Sequence, residues 1–169
     1  MTTTPDEHKA DAPDQIRCAV ITVSDTRTEE TDTGGAEIIR LLGEAGHVVA
    51  KREILPDEPE RMRPLLELLR DTDQVDVILM TGGTGISSRD QTYETVTALL
   101  TKPLPGYGEL FRMLSYQEIG AATMLSRATG GLMERTVLLT MPGSRAAVRL
   151  AMEQVVLPEL RHLVREARR

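Results

Sequence analysis

The chain has 169 residues and a formal net charge of −6, the length of one domain able to bury a sizeable core. Its acidity argues against a nucleic-acid partner gripped through backbone phosphates. No run approaches about 20 apolar residues and the N-terminus lacks a signal-peptide core, so no membrane partner and a cytoplasmic location are expected.

Aromatic residues make up only 2 % of the chain, with no Trp and one Phe, so the core must be packed from Leu, Ile, Val, Met and Ala. Residues 1–15 are polar, contain Pro5 and Pro13 and show no periodicity. They read as a disordered arm ahead of a single domain over 16–169. Ile16 to Val23 is a first buried strand, in which the one cysteine, Cys18, reads as a core thiol. It ends at Ser24-Asp25-Thr26-Arg27. A helix is expected from Thr33 or Gly34, with Ile38, Ile39, Leu41, Leu42 and Ala45 on one face and Gly46 as its stop. His47 to Leu55 reads as a second strand, followed by the turn Pro56-Asp57-Glu58-Pro59. A short helix then carries Met62, Leu65, Leu66 and Leu69; Pro64 inside it predicts a late start or a kink.

Val75 to Met80 is short, apolar and rich in β-branched residues, as expected of a parallel strand buried on both faces. Thr81-Gly82-Gly83-Thr84-Gly85 follows, and a helix start with Asp90 or Thr92 as N-cap and Glu94 in its first turn comes next. Strand, glycine turn and helix N-terminus together make a place where backbone N–H groups can hold a phosphate. The loop is not a Walker A sequence, since no Gly-Lys-Ser/Thr follows, and Ser88 stands where a dinucleotide fingerprint has its third glycine. After a loop at 101–106, helices are expected over Tyr107–Ile119 and Ala121–Arg127. Gly130-Gly131 reads as a break, and Leu132–Met133 as a minor strand. Thr136 to Met141 is the last buried strand. Pro142-Gly143-Ser144 then turns into a long helix that Pro158 is expected to bend.

Strands alternating with helices predict an α/β fold, a mostly parallel sheet covered on both faces. Ligands of such sheets sit at the carboxyl ends of the strands. Four strand ends would therefore share one edge and bring Asp25, Asp57 and Asp90 to it. A glycine loop beside carboxylates suits a nucleotide whose charge is carried by Mg²⁺.

Several motifs, in order, carry a resemblance. They are Val-Ser-Asp with Asp-Thr-Gly-Gly, Pro-Asp-Glu, Thr-Gly-Gly-Thr-Gly with Arg-Asp, Pro-Gly-Tyr-Gly-Glu with Phe-Arg, Ala-Thr-Met-Leu-Ser-Arg, and Met-Pro-Gly-Ser. From about Ile16 to about Leu160 the chain resembles the MoaB/MogA family of molybdenum cofactor biosynthesis proteins, related to the G domains of gephyrin. Residues 108–120 are closer to the MoaB branch. The resemblance implies a three-layer α/β/α, molybdopterin-binding-like fold and a homotrimer, or a homohexamer in the MoaB branch. It implies adenylylation of molybdopterin by Mg-ATP, with pyrophosphate released and the product handed to a molybdate-inserting enzyme.

Carried over position by position, the resemblance makes Asp57 and Asp90 the catalytic, metal-holding carboxylates. It gives Gly82, Gly83, Thr84 and Gly85 to the nucleotide. Ser24, Asp25, Arg89, Glu94 and Ser144 complete the expected binding set, with Arg89 a plausible phosphate clamp and Ser144 either an N-cap or a pterin-site donor. Asp32 reads as a cap or a site residue, and Arg112 and Arg127 as substrate or oligomer contacts. One departure is visible, Thr92-Tyr93-Glu94 where many relatives have Thr-Pro-Glu. Two other readings compete with the enzyme: a pterin-binding carrier or scaffold without significant catalysis, and a nucleotide-binding sensor indifferent to pterin.

Overall fold

The computed structural model describes residues 13–169. Most of the expected disordered arm lies outside the described residues. Its last three residues are anchored: Arg161 donates to Pro13 O (2.7 Å) and to Asp14 (2.7 Å), and Gln15 Nε2 to Gly46 O (3.2 Å).

Six strands form one sheet: β1 (Arg17–Val23), β2 (Val48–Leu55), β3 (Val77–Thr81), β4 (Lys102–Pro103), β5 (Gly130–Met133) and β6 (Thr136–Met141), in the order β2-β1-β3-β6-β5-β4. The pairs β1–β2, β1–β3 and β3–β6 are parallel, and β4 and β5 add an antiparallel edge. The helices are α1 (Thr33–Glu44), α2 (Pro59–Asp71), α3 (Thr92–Leu99), α4 (Pro105–Ile119), α5 (Arg145–Ala151) and α6 (Leu157–Arg168). A 3₁₀ segment covers Gly120–Leu125 and a π turn Met152–Val156.

The apolar strand runs explain the layering. In β1, Cys18 and Val20 face one way and join Ile38 and Leu42 of α1, Phe111 of α4 and Val148, Val156 and Leu160 beyond β6. Ala19 and Ile21 face the other way and meet Met62 and Leu66 of α2 and Val96 of α3. Period-two alternation thus feeds two separate cores, one on each side of the sheet. Burial of Cys18 raises its thiol pKa to about 12, so it is an inert core group.

Registry sets the site. Thr22 pairs with Thr81, Thr81 with Met141, and Val23 with Leu55, so four parallel strands end at one level. The next residues extend the match: Ser24 N donates to Leu55 O (2.9 Å) and Gly82 N to Met141 O (3.0 Å).

Several local expectations are corrected. Helix α2 starts at Pro59, ahead of Pro64 rather than late, because Pro59 supplies the first-turn residue that needs no N–H partner. Helix α3 is capped by Gln91 without a side-chain bond, and neither Asp90 nor Thr92 caps it. Gly130 and Gly131 do not break the chain: they belong to β5, pairing with Leu139 and Leu138. A Cβ on either would run into backbone, Leu138 O for Gly130 and Lys102 O for Gly131. The stretch expected as a helix over 121–127 is the 3₁₀ segment. The irregularity near Pro158 is the π turn, where Leu157 N–H reaches back to Met152 O just before the proline.

Candidate functional site

The glycine loop leaves β3 at the middle of the sheet, between β1 and β6. Gly82 (φ 103°) and Gly83 (φ 65°) both take the left-handed conformations that β-carbons disfavour. A Cβ on Gly83 would also collide with Asp57 Oδ2 and Thr92 Oγ1. Among the described residues no acceptor takes the N–H of Gly83, Thr84 or Gly85. The same residues line a cleft of about 410 Å³. Gly82 to Gly85, Asp90 and Ser144 form one side, and α4 with the 3₁₀ segment forms the other through Phe111, Ser115, Ile119, Thr123 and Leu125.

The two expected catalytic carboxylates flank the loop from different sides. Asp57 lies behind it and is 5 % exposed. Its Oδ1 accepts from Gln91 N (3.1 Å) and Thr92 Oγ1 (3.2 Å), while Oδ2 faces Gly83. Burial raises its pKa above the ordinary value, the two hydrogen bonds oppose that shift, and the neighbouring Asp90 charge adds to it. Asp90 lines the cleft; its Oδ2 accepts from Ser87 N (2.9 Å) and would sit 2.8 Å from a Cβ on Gly85. The pair is therefore on one side of the subunit and close enough to interact.

The other expected binding residues divide. Ser144 caps α5, its Oγ accepting from Ala147 N (3.2 Å), and also lines the cleft. Ser24 braces its own turn by accepting from the N–H groups of Thr26 and Arg27. Arg89 is committed: it donates to both oxygens of Asp25 (2.7 and 2.8 Å) and to Glu58 (3.4 Å). That pairing holds the Asp25 carboxyl below its ordinary pKa and joins three rim turns. Glu94 is exposed and pairs with Arg127, which lowers its pKa. None of Ser24, Asp25, Asp57, Arg89 or Glu94 lines the cleft. Asp32 is the N-cap of α1, accepting from Gly35 N (2.8 Å) and Thr22 Oγ1 (2.7 Å).

One group escaped the sequence reading. The cleft wall contributed by α4 and the 3₁₀ segment carried a signal only as the motifs around Phe111 and Thr123, with no chemistry to mark them. Thr123 Oγ1 donates to Ser115 Oγ (2.6 Å) within that wall. Arg112 donates to Ala128 O (2.9 Å) and faces a different hollow, whereas Arg127 is bound into the glycine loop.

No Lys or Arg lines the cleft. Charge for a bound polyphosphate must come from amides or a cation. The donors fit Mg²⁺, which takes one or two protein carboxylates and completes its shell with phosphate oxygens and water. Asp90 on the cleft and Asp57 behind the loop would supply those carboxylates; Asp57 does not line the cleft, and its Oδ2 meets no protein donor. Among the described residues no cluster of three or more His, Cys, Asp or Glu is disposed to hold a metal alone, and no helix is long and apolar enough to cross a membrane.

Residues 19–162 match the probable molybdopterin binding domain family. The chain belongs to that family, on its MoaB branch. It is 53 % identical over 165 residues to molybdenum cofactor biosynthesis protein B of Bacillus subtilis (strain 168), covering 96 % of each chain. A crystal structure of a molybdenum cofactor biosynthesis protein B superposes with TM-score 0.89 at 51 % identity, over 93 % of this chain and 98 % of that one. The tungsten cofactor synthesizing protein MoaB from Pyrococcus furiosus gives TM-score 0.80 at 39 % identity, over 94 % and 100 %. The MoaB/MogA-like fold is thus shared along nearly the whole chain.

Proposed function

We propose that this MoaB-family protein acts in molybdenum cofactor biosynthesis by adenylylating molybdopterin with Mg-ATP. The observation that carries the reading is the unpartnered amide row of Gly83 to Gly85, residues that line the cleft, flanked by Asp57 and Asp90. An oxygen of the molybdopterin terminal phosphate attacks the α-phosphate of ATP; the Pα–O–Pβ bond breaks and pyrophosphate leaves. The nucleophile is already largely deprotonated near neutral pH, so no strong base is needed. The chain's task is positioning and charge balance. Loop amides hold phosphate oxygens, Asp57 and Asp90 hold the cation, and the wall around Phe111, Ser115 and Thr123 confines the guest. Mg²⁺ supplies positive charge that the cleft residues lack.

The test is direct: purified protein, molybdopterin and Mg-ATP, with pyrophosphate and the adenylylated pterin as readouts. Tight pterin binding with neither product would establish the carrier instead. ATP binding with indifference to pterin would establish a sensor.

Assembly belongs to the same proposal. Met113 (56 % exposed), Tyr116 (62 %), Ile119 (57 %) and Met124 (76 %) form an apolar ridge that continues into the cleft through Ile119. A second copy of this chain is its occupant, consistent with the trimer or hexamer that the family resemblance implies. Light scattering on Met113→Lys/Tyr116→Lys protein should give a smaller species than wild type; an unchanged mass removes this face from the interface.

A further inference from the structure

Arg127 contacts more of the glycine loop than any catalytic candidate does, although it does not line the cleft. Its backbone N–H donates to Thr84 O (2.8 Å) and its Nε to Gly85 O (2.7 Å), at the loop's start. Another nitrogen of the same guanidinium donates to Asp90 O (3.0 Å), at the loop's end. The third pairs with the Glu94 carboxylate in the first turn of α3, and the guanidinium carbon stands 5.1 Å over the Tyr93 ring. The planar fork therefore serves two carbonyls and a carboxylate from three nitrogens at once. Lysine cannot reproduce that, having one nitrogen on a flexible stem.

Between the two bound carbonyls, Ile86, Ser87, Ser88 and Arg89 are all exposed. The internal bonds of this bridge are Asp90 N to Ser87 O (3.0 Å), Ser87 N to Asp90 Oδ2 (2.9 Å) and Arg89 N to Ser87 Oγ (3.2 Å), and the Arg89 side chain ties its middle to Asp25. Exposed loop hydrogen bonds of this kind open easily unless their ends are fixed. Arg127 fixes both ends, and by holding Asp90 O it sets the direction from which the Asp90 carboxylate enters the cleft.

We infer that Arg127 is a positioning residue: it clamps the two ends of the Gly85–Asp90 loop so that the phosphate-facing amides and the Asp90 carboxylate are held in register before substrate arrives. The catalytic part of this inference rests on the proposed adenylylation; the clamp itself does not. The experiment uses full-length protein carrying Arg127→Lys and, separately, Arg127→Met. Two readouts are taken, amide hydrogen exchange along the chain and steady-state pyrophosphate release with molybdopterin and Mg-ATP.

The clamp predicts exchange at Ser87, Asp90 and Gln91 faster by roughly tenfold or more in both variants, while β3 amides stay as slow as in wild type. It predicts a fall in kcat of roughly 10²-fold, with the KM for molybdopterin little changed and Lys failing to rescue. Wild-type exchange rates in the loop, or full turnover by Arg127→Lys, would overturn the inference. If the wild-type protein itself releases no pyrophosphate, the adenylylation reading falls, and loop exchange alone decides whether the clamp exists. Should Arg127→Met lose protection in β3 as well, Arg127→Lys, which keeps the charge and bulk, provides the comparison.

Discussion

Two buried carboxylates lie at opposite ends of the sheet, Asp57 beyond the carboxyl ends of the strands and Asp76 just before β3, and both residues are 5 % exposed. Their surroundings differ. Asp76 accepts from Arg17 through the backbone N–H (2.8 Å) and the side chain (2.6 and 3.1 Å), and it also pairs with Arg168. Burial pushes its pKa up, but these partners outweigh burial and hold it below the ordinary value. Asp57 has only neutral donors, Gln91 N–H and the Thr92 hydroxyl, and burial raises its pKa. One end neutralises its charge within the scaffold. The other leaves Asp57 without a charged hydrogen-bond partner. Both ends carry a hollow of about 410 Å³, so volume alone does not tell them apart; Arg17 and Arg168 line the first beside Asp76, whereas no Lys or Arg lines the second.

The sharpest break of that comparison is catalytic. Asp57→Asn or Asp90→Asn should lower pyrophosphate release by roughly 10²–10³-fold, the scale of losing one electrostatic contact to a transition state, with the circular dichroism spectrum unchanged. Full turnover in either purified variant removes that residue from the site. Next in size, Asp76→Asn should lower unfolding stability by about 1–3 kcal/mol in denaturant titrations while turnover per folded molecule stays at the wild-type level. That cost is moderated because the side chains of Arg17 and Arg168 are 41 % and 43 % exposed and water can take them. Equal stability would mean the amino-end network is ornamental.

The smaller effects lie in pH. Because the folded pKa of Asp57 lies above its ordinary value of 3.8, the folded state binds more protons than the unfolded state between those two values. Stability contributed by protonated Asp57 is therefore present below the ordinary value and lost as pH rises through the folded one. Asp57→Asn, which keeps an acceptor for Gln91 and Thr92, should melt at or slightly above the wild-type temperature at pH 7, and the two should converge in acid. A variant that melts well below wild type at pH 7 would show that Asp57 is structural.

Glu37 gives the opposite sign. Hydrogen bonds from Arg40 and then Arg145 outweigh burial and hold its pKa down to about 2. Stability from this group should fade as pH drops from about 4.5 toward 2, and Glu37→Gln should flatten that part of the acid melting profile.

Much of the fold was legible because a parallel strand buried on two faces has to be a continuous apolar run. Residues 16–23 and 136–141 announce themselves for that reason. The β4–β5 edge showed only in part: Leu132–Met133 read as a minor strand, but Gly130 and Gly131 carry a break signal and only the backbone of Lys102 and Leu138 explains their place in β5. At the site, the strand-end rule located the glycine loop and the acidic residues from order alone. It could not show that Arg89 is taken by Asp25, 64 residues away, or that Asp90 bends back onto Ser87 rather than capping a helix. Pairings of side chains distant in sequence leave no local pattern. For the same reason the sequence did not show that Arg127 binds the loop's carbonyls and Glu94.

Phe111 is the largest fully buried side chain and also part of the cleft wall. The breadth of the binding chamber is therefore dictated from the protein's interior, where Phe111 belongs to the same cluster as α1 and the helices beyond β6. Along the Phe111 part of the wall, widening the cleft would require coordinated change among deep residues, whereas the exposed Ile119 and Leu125 at its rim can vary alone.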